Sequence, residues 1–74
     1  MKVLLDPGHG GKDPGAIDNG LIEKHLNLIV AHRVQSQLQA AGVECEMTRT
    51  LDVDVSMETR IAAANQPDIA CVVS

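Results

Sequence analysis

His9 stands in the stretch Leu4-Leu5-Asp6-Pro7-Gly8-His9-Gly10-Gly11-Lys12-Asp13-Pro14-Gly15-Ala16, where glycine and proline leave few large side chains. The other groups able to do chemistry there are Asp6, Lys12 and Asp13. Glycine permits positive φ and close backbone approach, so nothing bulky screens the imidazole from a ligand. A second donor, Glu23, follows Asn19-Gly20 and opens a helical pattern, which puts its carboxylate on a rigid element. Imidazole and carboxylate are both zinc ligands, and a catalytic zinc takes three protein ligands with water in the fourth place. His9 and Glu23 thus offer two of three. Spacing alone leaves His9 equally suited to bonding a neighbouring carbonyl, and Glu23 suited to the first-turn carboxylate that a helix dipole favours.

Other polar residues frame this pair. Asp6 is placed either to accept the second ring proton of His9, as metal-bound imidazoles require, or simply to close the end of a strand. Asn27, one helical turn after Glu23, is expected to steady the Glu23 carboxylate or the glycine loop. His25 and His32 are two turns apart, too far to share a metal in the i, i+4 manner, and read as surface residues. Arg49 and Arg60 are expected in solvated pairs with Asp52, Asp54 or Glu58, which contribute little. A phosphate-loop reading of the glycines fails, because no Gly-Lys-Ser/Thr follows.

The elements that must carry these groups are legible from pattern. Lys2–Asp6 and Ile69–Val73 are short strands apolar on both faces, as in the middle of a parallel sheet. Val43–Thr48 alternates and belongs at an edge, with Val43, Cys45 and Met47 on its apolar side. Leu26, Ile29, Val30, Val34, Leu38 and Ala41 repeat at helical steps, predicting a helix over 21–41 that Gly42 ends. Ser56 is placed to cap a second helix that Asn65 closes before Pro67. The resulting β-α-β-α-β series predicts an α/β fold in three layers, a mainly parallel sheet in the order 2-1-3. In that order the connections after strands 1 and 3 diverge, leaving a crevice at their carboxyl ends next to His9.

Composition narrows the function classes. The 74 residues contain no Phe, Tyr or Trp, so the core must be aliphatic, and a domain this small is marginally stable. A net charge of −4 without a basic stripe argues against a nucleic-acid partner. No apolar run approaches a membrane span, and Val3–Leu5 is too short for the core of a signal peptide. Cys45 and Cys71 sit in apolar segments and read as buried free thiols.

Leu5-Asp6-Pro7-Gly8-His9-Gly10-Gly11, Asp13-Pro14-Gly15-Ala16, Glu23-Lys24 with Asn27-Leu28, Gly42-Val43, Met47-Thr48-Arg49 with Asp52, and Arg60 with Ala64-Asn65 form ordered blocks. In these blocks, from Val3 to Ser74, the chain resembles the zinc-dependent N-acetylmuramoyl-L-alanine amidases of type 3. The resemblance implies that His9 and Glu23 bind Zn2+. It implies a third ligand, a His just beyond the third strand, and a catalytic Glu later still. Residues 1–74 are therefore expected to be the N-terminal part of one amidase catalytic domain, inactive alone. The implied substrate is the amide between N-acetylmuramic acid and L-alanine in peptidoglycan, cleaved at the cell wall. A noncatalytic peptidoglycan-binding module of the same fold is the alternative.

Overall fold

The computed structural model describes every residue from Met1 to Ser74. Along the chain come β1 (Lys2–Leu5), β2 (Ile17–Asp18), β3 (Leu21–Ile22), α1 (Glu23–Ala40), β4 (Glu44–Met47), α2 (Met57–Ala64) and β5 (Ile69–Val73). The main sheet is parallel in the order β4-β1-β5, the 2-1-3 arrangement expected for the three main strands. Val3 lies between Cys45 and Cys71, and Leu5 between Met47 and Val73. The chain steps from β1 to β4 on one flank, then across β1 to β5 on the other. Right-handed crossovers in opposite directions assign α1 and α2 to opposite faces.

Successive residues of a strand face opposite ways, so Leu4 and Leu5 are buried on different sides of the sheet. On the α1 side Leu5 packs with Ala31 and Cys45, and Val3, Val34, Leu38 and Met47 close around them. The apolar stripe predicted for α1 is split. Its C-terminal half covers the sheet, whereas Leu26, Ile29 and Val30 stay largely exposed. Large apolar side chains left open in one patch mark a surface suited to contact with further protein.

The ends of the helices follow their sequence signals. The Gly42 N–H donates to the Gln39 carbonyl at 3.0 Å and the Val43 N–H to the Leu38 carbonyl at 2.9 Å. With Gly42 at φ +80°, this is the Schellman termination of α1. The Ser56 hydroxyl accepts the Thr59 N–H at 3.1 Å and caps α2.

Three expectations need correction. First, α1 begins at Glu23 rather than Leu21, because Leu21–Ile22 pairs with Ile17–Asp18 in an antiparallel hairpin. Asn19 and Gly20 both have positive φ there, the backbone that a two-residue Asn-Gly turn requires. Second, β5 is not enclosed. It pairs with β1 alone, and Val72 and Val73 are more than 40 % exposed at 43 % and 46 %. Strand side chains project from the two faces and are buried by what packs there, and neither helix packs closely over β5. Third, both cysteines are free thiols, but only Cys45 is buried; Cys71 shares the exposure of β5.

Candidate functional site

The loop after β1 is folded by its own backbone. The Gly10 N–H donates to the Asp13 carbonyl at 2.7 Å and the Asp13 N–H returns to Gly10 at 3.0 Å, closing a tight turn over Gly11 and Lys12. His9 enters that turn at φ 64°, a backbone region uncommon for side-chain-bearing residues and better tolerated by His than by most. The turn brings the Asp13 side chain back to the imidazole. Its Oδ2 lies 2.9 Å from His9 Nδ1, and its Oδ1 accepts the Gly15 N–H at 3.1 Å.

Glu23 is fixed just as closely. Its main-chain N–H donates to the Ala16 carbonyl at 2.9 Å, and the Ala16 N–H donates back to Glu23 Oε1 at 2.9 Å. Lys24 N–H donates to the Pro14 carbonyl at 3.0 Å. Ile22 precedes α1 without offering a capping side chain, so carbonyls of the glycine loop take up the first free N–H groups of the helix. Loop and helix are thereby locked together.

As a result His9 Nε2 stands 3.3 Å from Glu23 Oε1. A carboxylate stands on each nitrogen of the ring. Hydrogen bonds from His9 and the Gly15 N–H hold the Asp13 carboxyl below the ordinary carboxylate range, so it acts as acceptor for an Nδ1 proton while the Nε2 edge of the ring faces Glu23. The same Asp13 bond raises the pKa of His9, with a smaller contribution from Glu23. The Ala16 N–H lowers that of Glu23, and His9 and Asn27 add to it.

The donor set fits a zinc ion. Two ligands at about 2.0–2.2 Å from a tetrahedral zinc stand about 3.3–3.6 Å apart, and the His9–Glu23 separation of 3.3 Å falls within that range. It is a pair and not a full set, since no cluster of three His, Cys, Asp or Glu side chains is suited to a metal. His25 is exposed and the exposed His32 lies 3.0 Å from the Thr50 carbonyl, so neither joins the pair.

The supporting residues differ from those expected. The partner of the His9 ring is Asp13, not Asp6. Asp6 instead accepts the Thr48 hydroxyl at 2.8 Å and pairs with Arg60. Asn27 takes the expected place against the loop, donating to the Gly8 carbonyl at 3.2 Å. Arg60 is no solvated surface charge: besides Asp6 it donates to the carbonyls of Pro7 and His9, both at 3.0 Å. Arg49 is only 3 % exposed and has no carboxylate at ion-pair distance. Burial, reinforced by the neighbouring Arg60 charge, lowers its pKa. Lys24 and Asp52 form the pair that Asp52 was expected to make with arginine, at 2.8 Å, and Asp52 also accepts the Gly11 N–H at 2.7 Å.

Gly15 is the residue with least freedom. Its φ is +68°, and a Cβ there would sit 2.7 Å from both Glu23 Oε1 and His9 Cδ2. Gly15→Ala is therefore expected to push the two donors apart and to destabilise the fold by about 1–3 kcal/mol through backbone strain. Thermal unfolding and a zinc titration check this; an unchanged melting temperature and affinity would refute it. Beside the pair a groove of about 430 Å³ opens, lined among others by His9, Glu23, Leu26, Val30, Val73 and Ser74.

The chain is similar to several known proteins. The family model described as N-acetylmuramoyl-L-alanine amidase (Amidase_3) matches residues 3–74. The amidase AmiC of Neisseria meningitidis is 49 % identical over 61 residues, covering 81 % of this chain and 15 % of its own length. The amidase LytC of Bacillus subtilis is 44 % identical over 69 residues, covering 90 % and 14 %. The solved structure of amidase AmiC2 of Nostoc punctiforme superposes with a TM-score of 0.91 at 37 % identity, covering 97 % of this chain and 41 % of that one. The chain thus spans about a seventh of the two relatives and two-fifths of the solved structure. With the family model matched over nearly every residue, the chain belongs to the N-acetylmuramoyl-L-alanine amidase family.

Proposed function

We propose that the protein hydrolyses the amide between N-acetylmuramic acid and L-alanine in peptidoglycan, at a zinc centre to which this chain contributes His9 and Glu23. The observation that carries the reading is the 3.3 Å approach of His9 Nε2 to Glu23 Oε1 with the opposite ring nitrogen bonded to Asp13. When bound, zinc supplies Lewis-acid polarisation of an amide carbonyl and makes water acidic enough to serve near neutral pH. Asp13 keeps the Nδ1 proton in place, so that Nε2 remains a donor toward the ion. The Ala16 N–H fixes Glu23 Oε1, the same oxygen that stands 3.3 Å from His9 Nε2.

The remaining parts come from outside residues 1–74. The third ligand follows β5, whose carboxyl end lines the groove with His9 through Val73 and Ser74. A carboxylate base from the rest of the domain takes the proton of water and hands it to the departing amine. Residues 1–74 alone are inactive in this account. The substrate places the activity at the cell wall, outside the cytoplasm.

The test is incubation of the whole protein with purified peptidoglycan, followed by counting newly exposed L-alanine amino groups. Release that stops with a chelator and returns with zinc is expected. Binding to peptidoglycan without release, in the presence of zinc, would replace the hydrolase with a noncatalytic wall-binding module.

A further inference from the structure

Arg49 lies in the segment after β4, remote in sequence from both His9 and Glu23, and yet touches the main chain beside each. Its Nη2 donates to the carbonyl of Gly8 at 2.9 Å and to the carbonyl of Lys24 at 2.9 Å. Gly8 immediately precedes His9, and Lys24 immediately follows Glu23. A single nitrogen thus staples the two donor-bearing segments to one another. The rest of the guanidinium anchors that nitrogen: Nε donates to Pro7 at 3.1 Å and Nη1 to Leu51 at 3.1 Å. A buried charge must have its hydrogen-bonding capacity met. Here backbone carbonyls meet it, and three of the four belong to the loop of His9 or the helix of Glu23.

We propose that Arg49 is the positioning residue that sets the His9–Glu23 separation, and through it the zinc affinity of the pair; this rests on the zinc reading above. Arg49 touches neither donor side chain, so it acts through the backbone. Only a planar fork with several fixed N–H directions can hold four carbonyls together. The ammonium of lysine keeps the charge and loses that geometry.

Zinc dissociation constants of the whole protein, its Arg49→Lys and Arg49→Ala variants and His9→Asn test the proposal, by competition with a chromophoric chelator. Arg49→Lys is expected to keep a native circular dichroism spectrum and to weaken zinc by about tenfold or more, the scale on which partners that orient ligands act. Its cobalt-substituted form should show a shifted visible spectrum, which a loss of stability alone would not produce. Millimolar guanidinium, too dilute to denature, should restore part of the affinity of Arg49→Ala and none of that of His9→Asn. Wild-type affinity and spectrum in Arg49→Lys, or no response of Arg49→Ala to guanidinium, would overturn the role of Arg49 alone. Loss of the native spectrum in Arg49→Lys would overturn it too, because the residue would then hold the fold and not the pair. A wild-type protein that binds no zinc would overturn the zinc reading first, and the role of Arg49 with it.

Discussion

Replacing either His9 or Glu23 should raise the zinc dissociation constant by more than about 100-fold, beyond the 10–100-fold that loss of an orienting partner causes. Each substitution removes one of two donors that stand 3.3 Å apart, and no other His, Cys, Asp or Glu completes a metal cluster in their place. Neither change should unfold the protein. The side chains of His9 and Glu23 are 34 % and 41 % exposed, so their removal opens no cavity. For His9 asparagine is the better replacement, since it tolerates the positive φ that alanine resists. For Glu23 alanine serves, because the lost first-turn carboxylate and the lost bond from the Ala16 N–H cost about 1 kcal/mol each. Titration calorimetry reads the outcome, and an affinity within a few-fold of wild type in either variant would remove that residue from the ligand set.

Asp13→Ala should weaken zinc by about 10–100-fold while leaving both donors in place. Asp13 does three things at once: it accepts the His9 Nδ1 proton, receives the Gly15 N–H, and closes the turn with Gly10 through its backbone. Alanine keeps only the last. The ring then loses its preferred tautomer and orientation, so part of the population presents a protonated Nε2 that cannot bind an ion. Asp13→Asn should fall between, because the amide oxygen still accepts a ring proton but carries no charge. Equal affinities for wild type, asparagine and alanine would show that the carboxylate does not orient the ring.

Local pattern and long-range contact contribute differently to the fold and to the site. The glycines around His9 and the helix start at Glu23 mark both as accessible groups, but spacing alone leaves each a plainer role, and the family resemblance is what singles them out as ligands. The sheet order, both helices and the caps at Gly42 and Ser56 are visible from the residues themselves, since periodicity and turn chemistry act within a few residues. Asp13 is close in sequence to His9, but only the turn over Gly11 and Lys12 brings its carboxylate to the ring in preference to that of Asp6. The Asn19-Gly20 hairpin did carry a local signal, a two-residue turn between Ile17-Asp18 and Leu21-Ile22, but the apolar Leu21 and Ile22 also continue the helical pattern and so masked the start of α1.

Arg49 and Arg60 lie beyond the reach of such signals. They meet the glycine loop across more than forty residues of chain. In sequence they look like exposed partners for nearby carboxylates; in the fold they supply donors to a loop whose carbonyls point inward and need them. Gly15 is similarly opaque. Its turn-forming role is apparent, but the absence of a side chain matters because His9 and Glu23 converge over it. Exposure of β5, Leu26, Ile29 and Val30 has a plain source as well, for apolar pattern reports what a residue can be buried against, and here that surface is open.

The central claim is that His9 and Glu23 grip one ion, and X-ray absorption at the zinc edge of the loaded whole protein and its His9→Asn variant tests it most directly. Nitrogen and oxygen neighbours are expected at about 2.0–2.2 Å, with imidazole scattering in the wild type and one imidazole fewer around whatever metal the variant retains. Identical spectra for the two proteins, or a sulfur shell at about 2.3 Å signalling cysteine coordination instead, would contradict it.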